Sequence, residues 1–395
     1  MKTHHFNAIR STVPRKSIRK ASLLSVAFGM SLLMLSGCGT SSAVTNAANS
    51  GNPSTSGGQS SPNSSSANQS SANQSTGSSA NKGTLVIYEA EGYAKPVAKA
   101  FTKKTGIQVK IVHLATGSLA AKIQAEGNYP QWDLAWFDGA GTMQALDNEG
   151  LLNTGFTPND LSNYTSLGNS LLPKDDAYFP TGVSAAAVIA YNTKLMTAAE
   201  APKDWSDLLK PQYKNEIAMN DPSISGPTYP FVAGILQTKG LTAGEQYFTS
   251  LKQNGLQVFA KNGPTVQAML SGKVKIALAQ DAALTGFQMT GNPIKIIYPP
   301  SGTYALAGVI GIAKNAANKS AAEQFVEFCL TPEAQSIMVD AKVSGSDSYH
   351  TPLVTGVQAN SHVQTSGVKW VVVNAIQAAS RRSSVLKWFS DNIVH

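Results

Sequence analysis

Four carboxylates stand where a chain of this kind does chemistry. Glu89, Glu91, Asp138 and Asp281 each follow a short run of aliphatic, β-branched or aromatic residues. Such runs suit buried parallel strands, and the residues just beyond the carboxyl ends of those strands are the ones that meet a ligand. A solvated loop charge is the ordinary fate of any one of them. Two facing inward would suit an ammonium group or a set of sugar hydroxyls. A second set combines small hydroxyls with glycine: Thr116, Gly117 and Ser118, then Ser223, Ser225, Gly226 and Thr228. Each group precedes a helical stretch, one beginning near Leu119 and one near Tyr229. Free N–H groups and the helix dipole favour an anion at such a place. Plain N-capping uses the same residue types. Trp136, Phe137, Tyr229 and Tyr304 are the aromatic residues that could wall a site between them, with Trp136 equally suited to a core.

Catalytic patterns are missing from the sequence. It has no nucleophile elbow with Ser, His and Asp in order, no HExxH and no clustered His/Asp metal set. His113, in the middle of "IVHLA", reads as a core histidine rather than a metal ligand. Cys329, in "QFVEFCL", has apolar neighbours at helical spacing and reads as a buried core cysteine.

The elements that must position these residues alternate. "LVIY" is a strand, "AKPVAKAFTKKTG" an amphipathic helix that Gly106 ends, "IQVKIVHL" a strand, "TGSLAAKIQAEG" a helix and "WDLAWFD" a third strand. Strand–helix–strand repetition implies a mostly parallel sheet with right-handed crossovers. The rhythm resumes with a strand at "AAAVIAYN", a helix over "WSDLLKPQYKNEIAMND" leading into a short strand, and a helix after "SISGPTYP". "VKIALAQDAALTGFQM" adds a strand and a helix, and strand character returns around Pro299-Pro300. The last quarter is strongly helical. Residues 83–395 are enough for two lobes rather than one core.

The first 82 residues read differently. Lys2, Arg10, Arg15, Lys16, Arg19 and Lys20 form a basic leader without an acid, and the apolar run Ala21 to Leu35 is shorter than the about 20 residues a spanning helix needs. It ends in Leu35-Ser36-Gly37-Cys38, an order that resembles the lipobox of bacterial lipoproteins, where the cysteine is diacylated. Residues 1–37 are then a removed signal peptide and residues 38–82 a tether. Gly39 to Lys82 has no aromatic residue and almost no charge, so it is expected to stay disordered. The leader carries six of the 31 basic residues, leaving 25 against 23 acids. That balance offers no basic stripe for nucleic acid.

Over almost the whole folded length, the sequence resembles bacterial extracellular solute-binding proteins of ABC importers, in the branch of ferric-iron, phosphonate and organophosphate binders. "FTKKTGIQVKIVHLATGSLAAKIQAEGNYPQWDLAWFDGAGTMQALDNEGLL", "VIAYNTKLM", "DPSISGPTYPFVAGIL" and "AANKSAAEQFVEFCLTPEAQSIM" carry the likeness. The resemblance implies an α/β, type II two-lobe fold, each lobe a mixed, mostly parallel sheet flanked by helices. Lobe one would span 83–190, lobe two 191–299, and 300–395 would return to complete lobe one and add C-terminal helices. The crossings would fall near Ala190 to Asn192 and Pro300 to Leu306. It further implies a monomer that closes on a small molecule, delivers it to a membrane permease, makes or breaks no bond and needs no cofactor or metal. Cys38 would hold it to the membrane, facing outward. Where ferric binders place two adjacent tyrosines, this chain has Gln280-Asp281-Ala282-Ala283. An anion end plus a cationic or hydroxylated end describes a small phosphonate or phosphate ester. A polyamine or thiamine binder is the alternative within the class, and a ferric binder is a more distant one.

Overall fold

The computed structural model describes residues 83–395. The expected signal peptide, Cys38 and tether lie outside them. In chain order the strands are β1 (Leu85–Glu89), β2 (Val109–His113), β3 (Leu134–Asp138), β4 (Tyr178–Ala185), β5 (Val188–Asn192) and β6 (Ile217–Asn220), then β7 (Gln257–Phe259), β8 (Ile276–Ala279), β9 (Ile294–Ile297), β10 (Thr303–Ile312), β11 (Thr351–Pro352) and β12 (Trp370–Val371). They form two sheets. The first runs β11-β4-β10-β3-β1-β2, with β12 beside β10, and the second runs β7-β6-β8-β5-β9. β1 pairs in parallel with β2 and β3, and β6 with β7 and β8. β10 also pairs in parallel with β12, and the other pairs are antiparallel: β10 with β3 and β4, β4 with β11, and β5 with β8 and β9.

Both sheets are covered on both faces, which is why their strands read as near-continuous apolar runs. In the first, Leu85, Ile87, Leu134 and Trp136 face one core while Tyr88, Ala135 and Phe137 face another. The helix Ala94–Thr105 buries Val97 and Phe101 on the first of these, and Gly106 closes it at φ 75°, a backbone conformation that glycine adopts without strain. Phe325 meets Phe101 edge-on, with centroids 5.0 Å apart. Each such ring fully buried stabilises the lobe by about 1.5–3 kcal/mol. Cys329 is buried in the same core, as its apolar neighbours predict.

The crossings sit a few residues from where the sequence places them. The stretch read as one strand, "AAAVIAYN", is broken at Ala186-Ala187: β4 ends in the first sheet at Ala185 and β5 begins in the second at Val188. The return crossing is Tyr298 to Gly302. The two are tied together, since the Ala186 N–H donates to the Tyr304 carbonyl at 2.9 Å. The helix expected over "WSDLLKPQYKNEIAMND" is instead two 3-10 turns, Trp205–Leu209 and Pro211–Tyr213. Pro211 lacks an N–H and pushes Lys210 into extended backbone, so no α-helix can pass through it. The C-terminal helix Ala375–Phe389 does more than complete the first lobe. Phe389 packs on Phe248 of the second-lobe core, while Ala378 lies against Gly141, where a Cβ would come within 2.7 Å of it.

Candidate ligand-binding site

Carboxylates gather where β1 and β3 end. Glu89, the last residue of β1, is buried; its Oε2 accepts the Glu91 N–H at 2.7 Å and its Oε1 lies 3.1 Å from His113 Nδ1. Glu91 is buried just beyond it. Asp138, the last residue of β3, is met from the second sheet by Gln280, whose amide donates at 3.3 Å to Asp138 and at 3.0 Å to Ser184. Asp347, from the segment after Gly345, accepts the Gly92 N–H at 2.6 Å. Glu91, Asp138 and Asp347 share the wall of a cavity of about 10 Å³ with Gln280, Ser184 and His350. No Lys or Arg lines it.

Burial raises every acid of this cluster, because a charge loses its hydration there. Glu91 stands well above the usual carboxylate range, pushed by burial first and then by Asp138 and Asp347. Asp138 is raised to about 7 by burial and the Asp347 charge, with the Gln280 amide pulling it back. Glu89 and Asp347 are raised by burial, held down in part by His113 and by the Gly92 N–H respectively. So many neighbouring carboxylates cannot all ionise without a cation among them. Burial and mutual repulsion therefore favour protons or a positive charge in the shut cleft.

The two hydroxyl–glycine loops meet face to face. The helix Thr116–Glu126 begins after Ala115, and the helix Thr228–Lys239 after Pro227, neither with a side-chain cap. The hydroxyls therefore do not serve as ordinary N-caps. Ser223 donates to the Asp221 carboxylate at 2.6 Å, and Ser225 accepts from the Asn220 amide at 3.2 Å. The Gly117 N–H donates across the cleft to the Ile224 carbonyl at 3.4 Å. Only glycine fits this contact: a Cβ on Gly117 would lie 2.0 Å from the Ser223 carbonyl oxygen, and one on Gly226 2.3 Å from Thr116 Oγ1. Two lobes that touch through backbone, above a pocket of acids between their sheets, form a closed clamp.

Known proteins share this architecture. The family profile described as bacterial extracellular solute-binding protein matches residues 97–367. The chain belongs to that family. It is a substrate-binding protein of the ABC importer class, which binds small ligands and works with a membrane permease. A putative 2-aminoethylphosphonate-binding periplasmic protein of Salmonella paratyphi A is 26% identical over 66% of this chain and 79% of its own. The major ferric iron-binding protein of Neisseria meningitidis is 23% identical over 73% of this chain and 87% of its own. Among solved structures, the periplasmic binding protein AfuA of Actinobacillus pleuropneumoniae, with fructose-6-phosphate bound, superposes with a TM-score of 0.70 at 24% identity. That match covers 79% of this chain and 99% of AfuA, and it speaks to the fold.

For a solute-binding clamp, the expected site residues divide into three groups. Glu89, Glu91 and Asp138 come together at the cavity or directly beside it. Thr116, Gly117, Ser223, Ser225, Gly226 and Thr228 lie at the contact between lobes, with Ser118 and Ser223 exposed. Asp281 and Tyr304 stand elsewhere. The Asp281 carboxylate is saturated by the Ala185 N–H at 2.8 Å, the Ala282 N–H at 2.7 Å and the Tyr298 hydroxyl at 3.1 Å. It ties both crossings to the helix Asp281–Met289, and burial raises it to about 6 while those donors pull it down. Tyr304 packs against Trp205 and Phe231 in the second-lobe core and bonds the Thr238 hydroxyl. Trp136, Phe137 and Tyr229 are likewise core, with the Tyr229 hydroxyl on the Ala378 carbonyl. His113 is no core histidine: β2 is an edge strand, and its side chain is 68% exposed beside Glu89.

Asp347, His350, Gln280 and Ser184 complete the cavity and carry little sequence signal. Gln280 adjoins Asp281 in a loop that the strand pattern picks out, but charge draws attention to the wrong neighbour. Asp347 lies in the 3-10 turn Gly345–Ser348 and His350 just beyond it, more than 200 residues from Asp138, and only the tertiary fold delivers them.

Proposed function

We propose that the cleft captures a small phosphonate or phosphate ester that also carries an amine, of which an aminoalkylphosphonate is the simplest. One observation carries this reading: a Cβ on Gly226 would meet both Thr116 Oγ1, at 2.3 Å, and the Asp138 Cβ, at 3.3 Å. The two uncapped helix N-termini and the carboxylate cluster therefore adjoin, and a zwitterion a few bonds long spans them. The ammonium end meets Glu91, Asp138 and Asp347. The phosphonate oxygens meet N–H groups in the first turns of these two helices, beside the Gly117–Ile224 contact. The 26% identical aminoethylphosphonate-binding relative supports the same class. Acylation of Cys38 belongs to this proposal as the link to the membrane.

A purely cationic ligand such as a polyamine or thiamine is the second reading, favoured by a cavity lined with carboxylates and no Lys or Arg. Iron has less support, because the one phenol at the cavity, Tyr93, is held protonated by burial beside Glu91.

Thermal unfolding of the full chain tests the choice against 2-aminoethylphosphonate, glycerol phosphate, spermidine, thiamine and ferric citrate. A ligand at 100 times its Kd stabilises by about 2.7 kcal/mol, a shift of several degrees. The aminophosphonate is expected to produce it. A shift with spermidine or thiamine alone would replace the zwitterion by an amine.

A further inference from the structure

The central cavity contains two buried acceptors left without a hydrogen bond of good geometry, Glu91 Oε1 and His350 Nε2, although the Tyr93 hydroxyl beside Glu91 pulls its carboxyl down. Both residues are 4% exposed. The His350 tautomer follows from its neighbour. Nδ1 lies 2.7 Å from the Asp347 carbonyl oxygen, which only accepts, so Nδ1 carries the proton. Burial keeps the ring neutral, and Nε2 therefore presents a bare lone pair. Gly182 makes room for it, since a Cβ there would sit 2.8 Å from Nε2. The amide donor that lines the cavity, on Gln280, is already committed to Asp138 and Ser184.

A guest here donates hydrogen bonds in several directions, is favoured by positive charge beside these acids, and is about the size of a water, because 10 Å³ is roughly one probe sphere. A metal ion fits poorly: among the described residues, no group of three His, Cys, Asp or Glu is arranged to hold one. A trimethylammonium group donates nothing and is too large. We propose that this cavity is a primary-ammonium subsite, in which Glu91, Asp138 and His350 Nε2 receive the three N–H groups and the small volume excludes N-methylated amines. The inference rests on the reading of the cleft as an amine site, and it makes His350 a specificity-determining residue.

Calorimetric titration of the full chain with two matched pairs tests it: 2-aminoethylphosphonate against its N,N,N-trimethyl derivative, and spermidine against its permethylated form. A primary amine is expected to bind at least about 10-fold more tightly than its methylated partner, the scale of one or two unmade buried hydrogen bonds. His350→Phe, which keeps an aromatic ring and removes the Nε2 acceptor together with the Nδ1–H bond to the Asp347 carbonyl, should weaken the primary amine by about the same factor and narrow the gap. Glu91→Gln is the second variant, should His350→Phe not fold. Binding of both members of a pair within about threefold overturns the subsite and leaves the zwitterion reading standing. Spermidine bound with that preference, and no phosphonate bound, keeps the subsite and overturns the phosphonate. If neither primary amine binds, the cavity holds a buried water only, and the inference falls.

Discussion

Glu91, Asp138 and Asp347 are held together at the residue scale around a cavity that no Lys or Arg lines. Burial makes each harder to ionise while the cleft is shut, and an incoming ammonium favours the ionised form, the displaced proton going to solvent. Asp138 is the measurable member, because its raised value of about 7 lies in an accessible range. A carboxyl whose folded pKa exceeds its unfolded value of 3.8 is fully stabilised below that value and loses the contribution as pH rises to about 7. Asp138→Asn removes that dependence. The variant's Tm advantage over the parent, without added ligand, should therefore grow from pH 4 to about 7 and stay level above, as differential scanning calorimetry would record. An advantage that shrinks over this range would mean Asp138 is ionised and paired in the folded protein. The same substitution should weaken an amine ligand by about 1–3 kcal/mol, since a neutral amide leaves the ammonium without its countercharge.

At the scale of elements, the decisive contact is helix N-terminus against loop. The helix Thr116–Glu126 reaches Ser223 and Ile224 only because Gly117 has no side chain. Its opponent is a backbone carbonyl of the other lobe, which cannot rotate out of the way. Gly117→Ala should therefore leave each lobe folded, with a Tm close to the parent, and hold the lobes apart. The expected cost to closure is about 1–3 kcal/mol, the usual scale of overpacking. Small-angle scattering would then give a larger radius of gyration than the parent at saturating ligand, with affinity down by at least about 10-fold. A parent-like radius would show that the lobes close in a different register. Asp281 belongs to this scale too: it braces the crossings through Ala185 and Tyr298 rather than touching ligand.

For the whole molecule, two crossings joined by the Ala186–Tyr304 hydrogen bond form the hinge, and the C-terminal helix lies on elements of both lobes. A ligand shifts such a clamp only by the difference in its affinity for the open and closed forms. Cargo capture and delivery then depend on where the clamp is held. If Cys38 carries acyl chains, Cys38→Ala should move the protein from the membrane fraction to the soluble fraction, read by fractionation, while purified protein keeps its ligand affinity. Two chains suffice for stable anchoring, so the redistribution should be nearly complete. Retention of the variant in the membrane fraction would point to another attachment.

The sequence by itself determined the α/β architecture, because apolar runs of strand length alternate with amphipathic stretches and each glycine stop reads locally. It also picked out the strand ends where Glu89, Glu91 and Asp138 gather, since the carboxyl edge of a parallel sheet follows from strand direction alone. It located Gly117 and Gly226, though not their reason, which is contact between lobes rather than backbone freedom. The tertiary structure decided the rest. Asp281 and Gln280 are neighbours in one loop, and only the packing of the helix they open turns one toward the hinge and the other toward Asp138. Tyr304 and Tyr229 look like site aromatics in sequence, yet three-dimensional burial makes them core. Asp347 and His350 reach the cavity across more than 200 residues of chain, a distance over which no local pattern of spacing carries information.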